Sequence, residues 1–252
     1  MALTKFYWSA QPAITEALVR EFADCLGPGK LVVDVGAGYA PWEHATEFVD
    51  REAWPQLAGR KVHALDVELD RLPYADKSVD FLYCRHTIED LHNPTLLLRE
   101  MNRVAKAGYV ETPSPLAEMC RGINRTPLRG YQHHYWFSWV SNGTLMLMPK
   151  MPIVEHTELH NSFDAKLLEI LDCSPLFWNT YLTWRHDLRY EVQRHRLGFD
   201  AYGDFLRDIQ AAINASIADS ELFCFHKQLQ SAVFYPSSPP PASSSPSPQP
   251  AA

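Results

Sequence analysis

The residues with the clearest chemical reading are Asp34, Gly36 and Gly38 in the run Leu31-Val-Val-Asp-Val-Gly-Ala-Gly38. An apolar run that meets an acid and then a Gly-x-Gly turn is the layout of a buried strand entering a nucleotide pocket. Glycine has no Cβ, so a ligand can approach the backbone from Gly36 through Ala37 to Gly38. A dinucleotide fingerprint would put a third glycine at position 41 and leave an amide there for the pyrophosphate, and Pro41 supplies neither. A nucleoside cofactor without a pyrophosphate, S-adenosylmethionine, fits better, because its ammonium and ribose call for carboxylates where a phosphate would need a helix N-terminus. Asp34 is then an acceptor near the ammonium, or else merely the cap of the following turn.

Other chemistry-bearing residues admit two readings each. Asp66 follows an apolar segment and is a candidate acceptor for ribose hydroxyls, a duty that can pass to Glu68 or Asp70. Arg85 and His86 leave the end of another apolar segment, where ligands collect in parallel sheets; His86 is either a proton acceptor or a structural hydrogen-bonding group. His133, His134, His156, His160 and Glu158 are numerous enough to ligate a metal, but their spacing matches no familiar zinc pattern and no metal is expected. Arg121, Arg125 and Arg129 recur every four residues, yet Pro127 breaks the helix that would align them, which favours a solvated loop. Tyr131, Tyr135, Trp136, Phe137 and Trp139 can stack on a substrate or simply fill a core.

Elements must position these groups. Pro12 and the spacing of Ile14, Ala17, Leu18, Phe22 and Cys25 predict a leading helix that ends at Gly27-Pro28-Gly29. A strand is expected at about 31 to 35, a helix at 41 to 53, and a second strand at 61 to 66. The chain then runs almost directly into Asp70, so the usual helix and third strand read as shortened or missing. Further strands are expected over Val79 to Cys84 and Tyr109 to Thr112, with a helix at 94 to 106 between them. Asn142-Gly143 between two apolar runs predicts a type I′ hairpin, carrying Trp136, Phe137 and Trp139 to the mouth of the pocket. Helices are expected over Phe163 to Leu171 and Ala201 to Ile217, and one or two strands over Asn179 to Val192. An antiparallel last strand pair is expected from 179 to 192 or from 222 to 235.

With 252 residues, 46% of them hydrophobic, the chain can build a substantial α/β core. Its net charge of −7 argues against avid nucleic-acid binding. Five scattered cysteines without a Cys-x-x-Cys point to a reducing, cytoplasmic setting. No run of 18 apolar residues occurs, and no membrane segment is expected. Residues 236–252 hold seven prolines and six serines and no charge, the composition of a disordered tail.

Three blocks in order, Asp34-Val-Gly-Ala-Gly38, Leu72-Pro73-Tyr74 through His86-Thr-Ile-Glu-Asp90, and Leu98 through Pro115, resemble a class I S-adenosylmethionine-dependent methyltransferase of the small-molecule kind often called type 11. Where that family usually has Phe-Asp and His-x-x-Glu-His, this chain has Val79-Asp80 and ends the second motif in Asp90. The resemblance implies a Rossmann-like, doubly wound, mostly parallel sheet over residues 1–235, with S-adenosyl-L-methionine as cofactor. Residues 116–160, which look least like the family, are expected to form a substrate cover contributing His133, His134 and Trp136. The expected activity is methyl transfer to a small-molecule acceptor. A catalytically silent relative that binds the cofactor or a protein, and an RNA or protein methylase, are the alternatives.

Overall fold

The computed structural model describes residues 10–52, 54–158, 161–173, 177–195 and 198–223. Its strands are β1 (Val32–Val35), β2 (Glu47–Asp50), β3 (Lys61–Ala64), β4 (Phe81–Arg85), β5 (Ala107–Pro113), β6 (Trp136–Ser141), β7 (Thr144–Pro149), β8 (Asn179–Arg185) and β9 (Tyr190–Val192). The helices are α1 (Pro12–Glu21), α2 (Thr95–Val104), α3 (Pro115–Met119), α4 (Asn161–Cys173) and α5 (Ala201–Phe223). Six strands form one sheet in the order β3-β2-β1-β4-β5-β8, parallel except where β8 runs against β5. This is the expected Rossmann-like, mostly parallel sheet, with 179 to 192 supplying the antiparallel strand. Strand order reverses between β1 and β4, and ligands of open α/β sheets bind beyond the carboxyl ends of strands at such a point.

Alternation along the strands divides the sheet between two cores. Val32 faces α1 with Phe81, Tyr83 and Tyr109, and Ile14 and Leu18 of α1 answer together with Phe22, the residue that caps its end. Val33 and Val35 face the other way with Leu82, Cys84 and Val110, against Leu97, Leu98, Met101 and Val104 of α2. The i, i+1, i+4, i+7 spacing of those α2 residues is the apolar stripe that fixes the helix on the sheet. The polar side of α2 has its own task. Glu100 accepts from the Leu72 amide, and Arg103 donates to the carbonyls of Leu72 and Tyr74, so the Leu72-Pro73-Tyr74 block is a docking segment.

The sequence reading fails between 41 and 53. No helix forms there; a loop leads into β2, whose Phe48 and Val49 pair with Asp34 and Val35 of β1. Apolar residues at 42, 45, 48 and 49 fit helical spacing, but Thr46 locks the strand pairing by donating its amide to the Val32 carbonyl and accepting from the Val32 amide. Lys61–Ala64 is therefore the third strand, not the second. Among the described residues no α-helix joins β1 to β2, β2 to β3 or β3 to β4; a 3-10 turn, Pro55–Leu57, stands between β2 and β3, and the chain reaches Asp70 without a helix as expected.

Strands β6 and β7 form the expected hairpin, with Asn142 at φ 50° and Gly143 at φ 70° as a type I′ turn demands. With β9 they make a second, three-stranded sheet. Phe137, Trp139 and Met148 pack there with Leu116 and Met119 of α3, Leu167 and Leu171 of α4 and Phe205 and Ile209 of α5. The aromatics of the hairpin thus fill a core and do not reach the pocket mouth. The Pro/Ser-rich segment 236–252 lies outside the described residues.

Candidate functional site

Asp34 sits at the carboxyl end of β1, 2% exposed, and its Oδ2 accepts from the Trp42 amide at 2.7 Å. The acid therefore caps the following loop and lines a cavity at once. Burial pushes its carboxyl up to about 7, against the opposing hydrogen bond from Trp42. The two glycines do different work. Gly36 has φ +73°, and a Cβ on it would lie 2.0 Å from Thr87 Oγ1, so its hydrogen makes room for the turn after β4. Gly38 has φ +52°, and a Cβ there would meet nothing closer than the Gly36 carbonyl at 3.9 Å. Of the two glycines, Gly38 is the one with open space at its Cβ position.

Sequence reasoning missed Asp50, because it placed that residue inside a helix. Asp50 ends β2; its Oδ2 accepts from the Gly38 amide at 2.8 Å, and its Oδ1 accepts from Trp54 Nε1 and the Glu52 amide. Asp66 follows β3, one strand further from the glycines. Asp50, Leu65, Asp66 and Glu68 line one compartment of about 310 Å³ beside Gly36 and Gly38. Asp70 instead accepts from the Asp66 amide and closes the turn.

The chain leaves β4 through Arg85 and His86, the latter at φ 51°. His86 lies between two buried carboxylates, with Nδ1 3.1 Å from Glu89 and Nε2 3.5 Å from Glu111. Burial opposes its protonation, but those carboxylates raise it to about 9, so His86 is an imidazolium and no proton acceptor at neutral pH. Glu111 is fixed in turn by the Tyr109 hydroxyl and the Asn179 amide. Arg85 stands over the same end of the sheet, lining the cavity with Asp34 and Tyr83.

From the cover, His133 and His134 reach this cavity. Trp136 does not; its Nε1 donates to the Leu91 carbonyl at 2.7 Å and the ring packs against the sheet core. The Tyr135 amide donates to the Glu89 carbonyl, so the hairpin is stitched to the turn after β4. Behind His134 lies a buried group that no sequence pattern announced. Glu118 Oε1 is 2.5 Å from His134 Nδ1, while its Oε2 accepts from Lys150 Nζ at 2.8 Å. Burial raises the Glu118 carboxyl, but the charges of His134 and Lys150 prevail and hold it at about 2. His133 is shifted below the ordinary histidine value by burial and by neighbouring His134, leaving a neutral imidazole on the cavity.

The arginines at 121, 125 and 129 share neither a helix nor a loop surface. Arg121 and Arg129 form an antiparallel bridge, and Arg129 is fully buried on Asp164 and the carbonyls of Met119 and Thr157. His156 ends an exposed 3-10 turn away from the cavity, and His160 lies outside the described residues.

The parts converge on one place. A compartment of about 210 Å³ is lined by Asp34, Gly36, Ala37, Gly38, Arg85 and His86 from the sheet, with Asp90, His133 and His134 above. It shares Gly36, Gly38, His86 and Asp90 with the compartment of Asp50 and Asp66. A larger cavity of about 750 Å³ between α1 and the Ala40–His44 loop touches it at Tyr83 and Arg85 but holds neither Asp34 nor the glycines. The smaller pair carries the carboxylates and the open backbone a nucleoside cofactor needs, so it is the functional candidate.

Residues 35–110 match the family model of a methyltransferase domain. No curated protein matches the chain. Among solved structures, a SAM-dependent methyltransferase from Aquifex aeolicus is 25% identical, with 40% of this chain and 64% of that one covered, at a TM-score of 0.31. An S-adenosylmethionine-dependent methyltransferase from Mesorhizobium loti is 17% identical over 55% of this chain and 66% of its own, at 0.32. Geranyl diphosphate C-methyltransferase from Streptomyces coelicolor, solved with Mg²⁺, geranyl diphosphate and S-adenosyl-L-homocysteine, is 16% identical over 40% and 47%, at 0.30. The chain spans less than two thirds of the length of each of these structures. Residues 35–110 are thus similar to a methyltransferase domain, on a Rossmann-like, mostly parallel sheet.

Proposed function

We propose that the chain transfers a methyl group from S-adenosyl-L-methionine to a small-molecule acceptor. The observation that carries this reading is the shared cavity, in which the Asp34-to-Gly38 turn faces His133 and His134 of the cover. The residues fit the cofactor. Asp34 is a buried carboxylate whose value burial raises more than the Trp42 hydrogen bond and the charge of Arg85 lower it, and an α-ammonium beside it would add to that charge. Asp50 and Asp66 present acceptors in the neighbouring compartment for ribose hydroxyls and an exocyclic amine, and Gly38 leaves the approach open.

The cofactor supplies an electrophilic methyl on a sulfonium, so the protein has to align an acceptor and exclude water; alignment alone is worth about 7 to 11 kcal/mol. Arg85 and the imidazolium of His86 hold fixed positive charge at the floor of the cavity. Neutral His133 offers a lone pair from above. A compartment of about 210 Å³ suits a small acceptor, and a net charge of −7 argues against avid nucleic-acid binding.

Calorimetry with S-adenosylhomocysteine, followed by a screen of small acceptors for its production from S-adenosylmethionine, tests the reading. Micromolar binding, roughly −8 kcal/mol, and turnover with at least one acceptor are expected. Binding with no turnover across the screen favours the silent relative; no binding overturns the proposal.

A further inference from the structure

We propose that Asp90, His133 and His134 bind one divalent first-row transition-metal ion at the rim of this cavity. The three offer ligand atoms that all lie within 4.8 Å of one another. Asp90 Oδ1 is 3.5 Å from His134 Nε2 and 3.8 Å from His133 Nε2. These are ion-pair separations, at or beyond the limit of a hydrogen bond, and in them two consecutive imidazoles turn their Nε2 atoms to one carboxylate oxygen. They do suit an ion. Bonds of about 2.0–2.1 Å at tetrahedral angles place neighbouring ligand atoms about 3.3–3.4 Å apart, a few tenths of an ångström from the separations here.

The support behind the cluster has the form that metal ligands need. Glu118, fully buried and held by Lys150, can only accept, so the His134 ring keeps a proton on Nδ1 towards it and turns Nε2 towards Asp90, where an ion would take the place of the second proton. Asp90 and His133 are exposed enough to close the remaining distance, while His134 is the fixed member. Two imidazoles and one carboxylate form a donor set for zinc, iron or cobalt rather than for magnesium or calcium, which take oxygen. Three protein ligands leave a position open, and the same three residues line the compartment of Asp34 and Gly38. Resting on the methyltransferase reading, that position selects acceptors with an oxygen or nitrogen donor able to occupy it. The sequence reading set His133 and His134 aside for want of spacing; the third ligand lies on the turn after β4, far away in the chain.

The test uses the full chain stripped of metal with a chelator. Zn²⁺ titrated by calorimetry should bind once per chain, and Co²⁺ should give the visible absorption of a low-coordinate histidine site. His133→Ala and Asp90→Asn should each weaken Zn²⁺ at least tenfold with melting temperatures unchanged, while His156→Ala leaves the affinity intact. Should one variant fold poorly, the other carries the comparison. Absence of stoichiometric Zn²⁺ binding by the wild type, or equal affinity in both folded variants, overturns the site. S-adenosylhomocysteine binding to the metal-free chain is measured beside it. Cofactor binding without Zn²⁺ binding removes the metal site alone, and Zn²⁺ binding without cofactor binding supports the site and removes the methyltransferase reading.

Discussion

Replacing the two glycines of the β1 turn by alanine should separate the fold from cofactor binding. In Gly36→Ala the new Cβ falls 2.0 Å from Thr87 Oγ1, 2.7 Å from its Cγ2 and 2.9 Å from its Cβ. Thr87 is 9% exposed and its hydroxyl points to the Val35 carbonyl, so it has little room to retreat. The overlap costs about 1–3 kcal/mol, and the left-handed backbone adds about 1–2 kcal/mol. Together these make about 2–5 kcal/mol, which at about 2–4 °C per kcal/mol lowers the melting temperature by roughly 5 to 20 °C. Gly38→Ala incurs only the backbone part, about 1–2 kcal/mol, because its Cβ meets nothing within 3.9 Å. Gly38 lines both compartments, and S-adenosylhomocysteine affinity should fall at least tenfold. Thr87→Ala in the Gly36→Ala background should recover part of the lost stability, since the two changes share one contact. Thermal melts and calorimetry on the three variants beside the wild type decide the matter. A Gly36→Ala protein that melts with the wild type, or a Gly38→Ala protein that binds the ligand normally, refutes the division of labour.

Lys150→Met leaves Glu118 buried with one partner fewer and should cost about 3–5 kcal/mol, read as a large fall in melting temperature with the hairpin's amide protection. Asp34 is raised from 3.8 to about 7 in the folded chain, so the folded state binds the extra proton in that window, and stability present below it is lost as pH rises through about 7. The wild type should therefore lose more stability than Asp34→Asn between pH 5 and 7.5 in paired melts. Cofactor binding should release a proton from Asp34 near pH 6.5, seen as buffer-dependent calorimetric heats that vanish in Asp34→Asn. Trp136→Ala removes the donor to Leu91 and a ring from the core, and should lower stability by about 3–5 kcal/mol while every ligand weakens together.

Much of the cofactor half was legible in the chain because its signals are local. The Asp34-to-Gly38 turn, the α2 stripe and the Asn142-Gly143 turn each carry their instruction within a few residues. The error at 41 to 53 arose where the local signal is ambiguous and a partner strand decides, and it hid Asp50. The two readings of His86, proton acceptor or structural hydrogen-bonding group, cannot be separated until two carboxylates from different elements are seen around it. Glu118, His134 and Lys150 were illegible as a set, since nothing short-range links positions 118, 134 and 150.

That set has a consequence for how the chain can be altered. The Lys150 ammonium, bonded to Glu118 Oε2 and to the Tyr131 carbonyl, ties the end of the hairpin back to α3, where the cover begins. The cover is thus a closed loop of charge, cinched at its own base. A graft that exchanges this segment has to carry both Glu118 and Lys150 or neither, because either charge alone would be left buried without its partner.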